Sequence, residues 1–386
     1  GTSGDVRSAA MVFRDTTTGS PPSDHFGVMA DLDVSRLLYA STLPDRFSLS
    51  DPPPAIDPLA FVMYDTDVGF GYGAKIFFLN HVGWSESFDL TLFTSTKGER
   101  WYRLVFSIPD FELRQGKIYP VAFDLTIDYD KYLKNNYFGI GPAAAKDRRE
   151  VYTKEPLEIT AVFSLGFSPR LVVQAGLKFH AVRNFNFEPG AAFLQLPPVN
   201  IGRSQVFSTT ASVRYDSRNS FINPSHGFVT QLDLEAAPSI GFNDYTLLGG
   251  ALTLQSFQTL FYPKTVLAAR LLGKITNGSN QPVHTHTSIG GNNTLRGYPQ
   301  DRFLERSGII GNLEIRFPII WRFGGVFLWD VGKPLNAVSE LSPLRSGWKS
   351  NAGGGLRFYM DTFVVRADIG VSGESTGFYF NFGHAF

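Results

Sequence analysis

The sequence contains no cysteine, which excludes a disulfide-stapled scaffold and any thiolate metal centre. It also lacks any run of the roughly 18 apolar residues that a membrane-spanning helix needs, so a helical membrane protein is excluded. Charge is scarce, at 18% of residues against roughly 25% in an average soluble protein. What charge there is balances, 35 basic against 35 acidic, leaving no basic excess for nucleic acid. The opening residues GTSGDVRSAA lack the basic start and apolar core of a secretory signal and read as a mature end.

Aromatic residues, in contrast, are abundant: 14% of the chain, with 35 Phe and 15 Tyr. The hydrophobic fraction is 43% while the mean hydropathy is only -0.06. Apolar residues are therefore interleaved with polar ones. Residues 1–58 stand apart, since TTTGSPPSD and SLSDPPPAIDP read as linkers and DHFGVMADLDVSRLLYA as one short helix. This segment is expected to be periplasmic or inserted into a lumen, or else a poorly ordered tail.

From Leu59 onward the period is two. In SFDLTLFTSTKG, Phe88, Leu90 and Leu92 share one face and Asp89 and Thr91 the other. In TGFYFNFGHAF, Phe378, Phe380, Phe382 and Phe386 alternate with Gly377, Tyr379, Asn381 and Gly383. Such alternation predicts strands with one apolar and one polar face. About sixteen can be drawn between residues 59 and 386, among them 117–129, 156–167 and 320–330, many near the ~9–11 residues that cross a bilayer at a tilt. Tight and long connections alternate, the long ones including KNNYFGIGPAAAKDRREVYTKE and GSNQPVHTHTSIGGNNTLRGYPQD. The polar faces carry charges deep inside strands: Asp124, Asp128, Arg214, Asp233, Glu314, Arg316, Arg366 and Asp368. A sandwich core would reject them, but a wet barrel lumen tolerates them. The predicted fold is all-β, a transmembrane antiparallel β-barrel over residues 59–386.

Five stretches, in order, carry a family resemblance: RYDSRNSFINPSHGFVTQLDLEAAP, TLRGYPQDRF, GNLEIRFPI, GVFLWDVGKP and GGGLRFYMDTFVVRADIGVS. Together they resemble the BamA/TamA-type surface-antigen superfamily of outer-membrane assembly and secretion barrels. Leu295 and Leu328 stand where that family usually has valine and phenylalanine. The resemblance implies a bacterial outer-membrane location, contact with outer-membrane lipid and lipopolysaccharide, and work on proteins or lipid through a lateral seam between first and last strands. It also implies that the sixth external loop folds into the lumen. There Arg296 would pair with Glu314 and Asp330, Gly297 would turn the loop, and Tyr298 would pack on the wall.

The residue chemistry agrees with that pairing. Glu314 and Asp330 sit on neighbouring strands, sixteen residues apart, and a guanidinium with five fixed donors can bridge two carboxylates. The alternative is a solvated loop arginine beside ordinary lumen charges. Phe386, with Phe382 upstream, looks like an outer-membrane C-terminal signal, and Gly383 falls where family members carry a glycine that bends the last strand inward.

His284 and His286 in HTHT have metal-like spacing but no further ligand in view. No Ser–His–acid arrangement can be assembled from spacing, so an outer-membrane hydrolase is unsupported, and no cofactor is expected. Residues 1–58 are too short and too rich in Pro and Asp for a POTRA repeat, so a separate periplasmic partner protein, or a substrate barrel, is expected to meet this chain. A passive or purely structural barrel is the alternative function.

Overall fold

The computed structural model describes residues 53–65, 69–260, 264–337, 340, 346–359 and 364–386. Most of the expected N-terminal segment, residues 1–52, therefore lies outside the described residues. The wall strands are β1 (Ala55–Asp65), β2 (Gly69–Leu79), β3 (Ser87–Ser95), β4 (Arg100–Ile108), β5 (Tyr119–Tyr137), β6 (Glu150–Gly166), β7 (Leu171–Phe185) and β8 (Gly202–Asp216). They continue as β9 (Gly227–Ala237), β10 (Leu247–Thr259) and β11 (Val266–Asn277). A short hairpin, β12 (Thr287–Ile289) and β13 (Phe303–Glu305), then interrupts the wall. The wall resumes with β14 (Ser307–Ile320), β15 (Phe323–Leu335), β16 (Lys349–Tyr359), β17 (Val364–Val371) and β18 (Thr376–Phe382). Sixteen strands, all but β12 and β13, close into one antiparallel barrel in which each pairs with its sequence neighbours and β1 meets β18.

Alternation fixes which face is which. On β3, Asp89 and Thr91 are buried while Phe88 and Leu92 are exposed. Outward-facing apolar side chains continue around the wall, including Val121, Phe163, Leu177, Leu232, Leu252, Phe327 and Ile369. A surface this apolar over a whole circumference suits lipid rather than water. Trp84 and Trp321, both highly exposed, stand in turns at one end of the barrel, where an indole spans the boundary between lipid and water. Connections at that end are mostly short, such as 321–322 and 167–170, whereas the other end carries 138–149, 186–201 and 278–306.

The barrel is taller on one side than the sequence suggests. Strands expected over 117–129 and 156–167 are observed over Tyr119–Tyr137 and Glu150–Gly166, so part of the presumed loop between them is wall. The alternation is lost there for a physical reason. Above the apolar band neither face meets lipid, so residues 131–137 (KYLKNNY) are free to be mixed. Their hydrophobic members pack on loops instead: Tyr137 and Tyr152 join Phe193 of the 186–201 connection and Val283 of the 278–306 connection.

Leu177 lies near the middle of β7 and faces outward, 48% exposed. Leu177→Arg is expected to lower the unfolding free energy in lipid vesicles by about 2–4 kcal/mol. Thr210→Lys, facing the lumen from β8, should cost clearly less. Urea titration followed by tryptophan fluorescence separates the two.

Candidate functional site

The connection from β11 to β14 enters the barrel. Gly290 and Gly291 take positive φ values of 123° and 90°, a backbone that side-chain-bearing residues rarely adopt. Thr294 closes the turn, donating to Gly290 O and accepting from Gly290 N, both at 2.8 Å. Leu295, Tyr298 and Phe303 are buried with Ile289 and Ile310. That apolar knot holds the tip of the loop against β14 and leaves Arg296 only one direction, inward.

Arg296 is 1% exposed, and the side chains of Glu314, Asp330 and Asp368 around it are fully buried. Its Nε and Nη2 donate to the two oxygens of Asp330 at 3.0 and 2.8 Å. Its Nη1 donates to Glu314 at 2.6 Å and to Asp368 at 3.1 Å. Even its backbone N–H reaches Asp330, at 3.2 Å. Burial opposes the positive charge, but Asp330, Glu314 and Asp368 outweigh it and hold the guanidinium above its ordinary pKa. The three acids come from β14, β15 and β17. Asp330 pairs across the sheet with Asn312 and Glu314 with Leu328, so the two expected acids are diagonal neighbours on the lumen face.

The network is larger than the sequence reading. Asp368, read only as a lumen charge, is a third partner of Arg296. Arg357, which the sequence reading left out, touches Glu314 at 3.3 Å and pairs closely with Asp368. Arg316 donates to Glu314 at 2.8 Å and Arg366 to Asp368 at 3.2 Å. Asn312 and Asn351 each donate to Asp330, at 2.7 and 2.9 Å. The signal was present in the alternation of VVRADIGV, where Arg366 and Asp368 share the face opposite to Ile369. What it did not carry was distance to the loop.

Glycines make the approach possible. A Cβ on Gly370 would lie 2.5 Å from Arg296 C, and one on Gly377 2.4 Å from Arg296 O. A Cβ on Gly297 would lie 2.5 Å from Asn351 Cβ. Gly297 thus serves close packing, and positive φ occurs elsewhere in the loop, at Gly290, Gly291 and Asp301 among others. Ser372 and Ser375, on the β17–β18 connection, both donate to Gly297 O at 2.8 Å. Tyr298 packs edge-on against Phe303 and donates to Ser350 O at 3.3 Å.

At the seam, the pairs between β1 and β18 among the described residues are Tyr64–Phe380 and Asp65–Tyr379, against seven between β17 and β18. The strand ends at Phe382, whose side chain lies outside the described residues. Gly383 follows with φ 77°. The expectation that Phe386 shares the outer face with Phe378 and Phe380 is corrected here. The left-handed Gly383 ends the alternation and turns the chain inward, placing Phe386 under Arg270 and Arg316, 5.2 and 5.4 Å from its ring centroid. His384 reaches Asn223 of the β8–β9 turn at 3.2 Å.

His284 and His286 are not brought together on a metal. His284 packs edge-on against His180 and Tyr245, and burial holds it well below its ordinary pKa. Among the described residues no group of three or more metal-ligating side chains occurs.

Removing one partner from a buried ion network leaves the others uncompensated, a cost of about 3–5 kcal/mol. Arg296→Ala, Glu314→Gln and Asp330→Asn are each expected to lower resistance to urea. The double variants should cost less than the sum of the singles. Additive losses across the cycle would mean that the groups do not interact. Gly370→Val leaves every charge in place and is expected to undock the loop, read as new trypsin cleavage after Arg296 or Arg302.

The Omp85 superfamily domain matches residues 80–386. No curated protein matches the chain by sequence. Among solved structures, BamA from Haemophilus ducreyi lacking POTRA domains 1–3 superposes with a TM-score of 0.60 at 14% identity, covering 92% of this chain and 80% of that one. CdiB from Escherichia coli superposes at 0.57 and 13%, covering 97% and 67%. CdiB from Acinetobacter baumannii superposes at 0.54 and 14%, covering 85% and 60%. These likenesses establish the barrel fold. With the domain match spanning nearly the whole wall, the chain belongs to the Omp85 superfamily.

Proposed function

We propose that this chain is a bacterial outer-membrane barrel that helps to insert, fold or export proteins, or moves lipid, through the seam between β1 and β18. The docked 278–306 loop acts as its gate. Superfamily barrels such as BamA and CdiB reside in the bacterial outer membrane and serve assembly or secretion, which supplies the general frame. The observation that carries the specific reading is the seam. Among the described residues two residue pairs join its strands, on the order of two backbone hydrogen bonds and a net of roughly 1–3 kcal/mol. At seven residues, β18 is also shorter than the ~9–11 residues that span a bilayer, so lipid packing there is poor.

Loop and seam are mechanically joined. Gly297 O accepts from Ser372 and Ser375, Arg302 donates to Glu374 at 2.7 Å, and Arg296 sits against Gly377 of β18. Undocking the loop withdraws the inner support of the β17–β18 hairpin, and that hairpin holds the weak edge. In this reading no step is catalytic. The partners are outer-membrane lipid and lipopolysaccharide on the wall, together with a substrate barrel or a separate periplasmic protein at the short-turn end.

The absence of native cysteine makes the test clean. Tyr64→Cys with Phe380→Cys places two thiols at directly opposed antiparallel positions, within disulfide range. Oxidation is expected to abolish insertion of an unfolded substrate barrel into proteoliposomes, and reductant to restore it. A control pair inside the wall, Ala251→Cys with Lys274→Cys, should have no effect. Undiminished insertion with the seam sealed would sink the proposal.

A further inference from the structure

A second charged feature lies at the short-turn end, away from the loop network and the seam. The 109–118 turn folds back beneath the lower ends of β7 and β8 and leaves a partly open cleft of about 40 Å³. A single water needs only about 10–15 Å³, so the cleft has room for a small polyatomic ion. Arg114, Lys117, Arg170 and Arg214 line it, with Asp216 as the acidic residue among them.

The charges there do not balance. Asp124 takes Arg114, at 2.6 Å. Asp216 takes both Arg214 and Arg218, at 2.7 and 2.8 Å. Asp233 also lies near Arg214, so five cations face three carboxylates and Lys117 and Arg170 are the two left over. Lys117 and Arg170 have no side-chain hydrogen bond or ion pair among the described residues. Burial pushes the Lys117 ammonium down, with no carboxylate beside it to oppose the shift. Uncompensated cations held together in a partly buried cleft repel one another, and an anion between them removes that cost.

The rest of the cleft is rigid and apolar. Arg114 is 3% exposed and lies over Phe111 and Tyr119, 5.2 and 5.8 Å from their ring centroids. Arg218 is stacked over Phe221 at 5.3 Å. Of the cations lining the cleft, Arg114 is thus held in place before any ligand arrives, which lowers the ordering cost of binding at that side chain. Two unmatched positive charges call for a dianion. A phosphomonoester carries about -1.5 to -2 at neutral pH, whereas a carboxylate or phosphodiester carries one charge and leaves a cation unmatched. The aromatic side accepts an apolar body attached to the phosphate.

We propose that this cleft binds a phosphate dianion, free or as the monoester headgroup of a lipid, held between Lys117 and Arg170 with Arg114 and Phe111 behind it. The site is independent of seam opening, so its failure would leave the gate reading untouched. Two sources share the chemistry, free phosphate and the headgroup of a phosphomonoester lipid. Native mass spectrometry of the detergent-solubilised full chain with phosphatidate, against phosphatidylglycerol, reads the lipid arm. Calorimetry with inorganic phosphate at low ionic strength reads the free-ion arm.

Binding of phosphatidate over phosphatidylglycerol supports a lipid ligand, and binding of inorganic phosphate supports a free ion. In either case Lys117→Gln with Arg170→Gln is expected to weaken binding by about tenfold or more, since both charge-assisted hydrogen bonds to the phosphate are lost. Both side chains are partly or fully exposed, so the variant should keep its urea midpoint. Binding of neither probe overturns the proposal. So does equal affinity in the doubly substituted protein, or equal retention of phosphatidylglycerol and phosphatidate without binding of inorganic phosphate.

Discussion

A guanidinium sealed from water has to be met by carboxylates, and that requirement organises the C-terminal half of this barrel. Arg296 arrives on a loop, and its three acids arrive on β14, β15 and β17. An unmatched charge at that depth would cost several kcal/mol. The loop can therefore be inside only if all three strands are in register, and the strands can carry buried acids only if the loop is inside. Arg316, Arg357 and Arg366 extend the same bargain along the wall, so that four arginines share three carboxylates. The asparagines at 312 and 351 complete the coordination of Asp330 without adding charge.

This network divides the barrel into a stiff part and a soft part. From β14 to β17 the wall is tied together from within by the docked loop, and the small glycines at 297, 370 and 377 let backbones touch. Past β18 the tie ends. Gly383 turns the chain into the lumen, where Phe386 finds Arg270 and Arg316, and the strand that would have continued along β1 is spent on that contact. Among the described residues β1 pairs with β18 at two positions, while it pairs with β2 along its full length.

Much of this was legible in the residues. Alternation revealed the strands wherever one face meets lipid, since a shift of one residue would put charge into hydrocarbon. It failed for Lys131–Tyr137 and Glu150–Glu155, where the wall rises above the apolar band and both faces are free to be polar. Arg296, Glu314 and Asp330 could be matched because the ordered motifs resemble a family whose loop arginine meets those two acids; the residue types alone left a solvated arginine open. Arg357 could not, because nothing local distinguishes it from any other strand arginine. Phe386 was misplaced because parity extrapolates only while the chain stays extended, and one positive φ at Gly383 ended it.

The sequence by itself determined the solvent on each side of the wall and hence a lipid-facing barrel, because period-two patterning is a local property of the chain. It also placed an arginine in a polar loop, for which the family resemblance implied acidic partners. Only the tertiary structure decided that β17 supplies a third acid, Asp368, that Arg357 joins the network, and that the chain's last residues fold inward. These depend on distances between residues tens of positions apart, which closure of the barrel sets and no local pattern encodes.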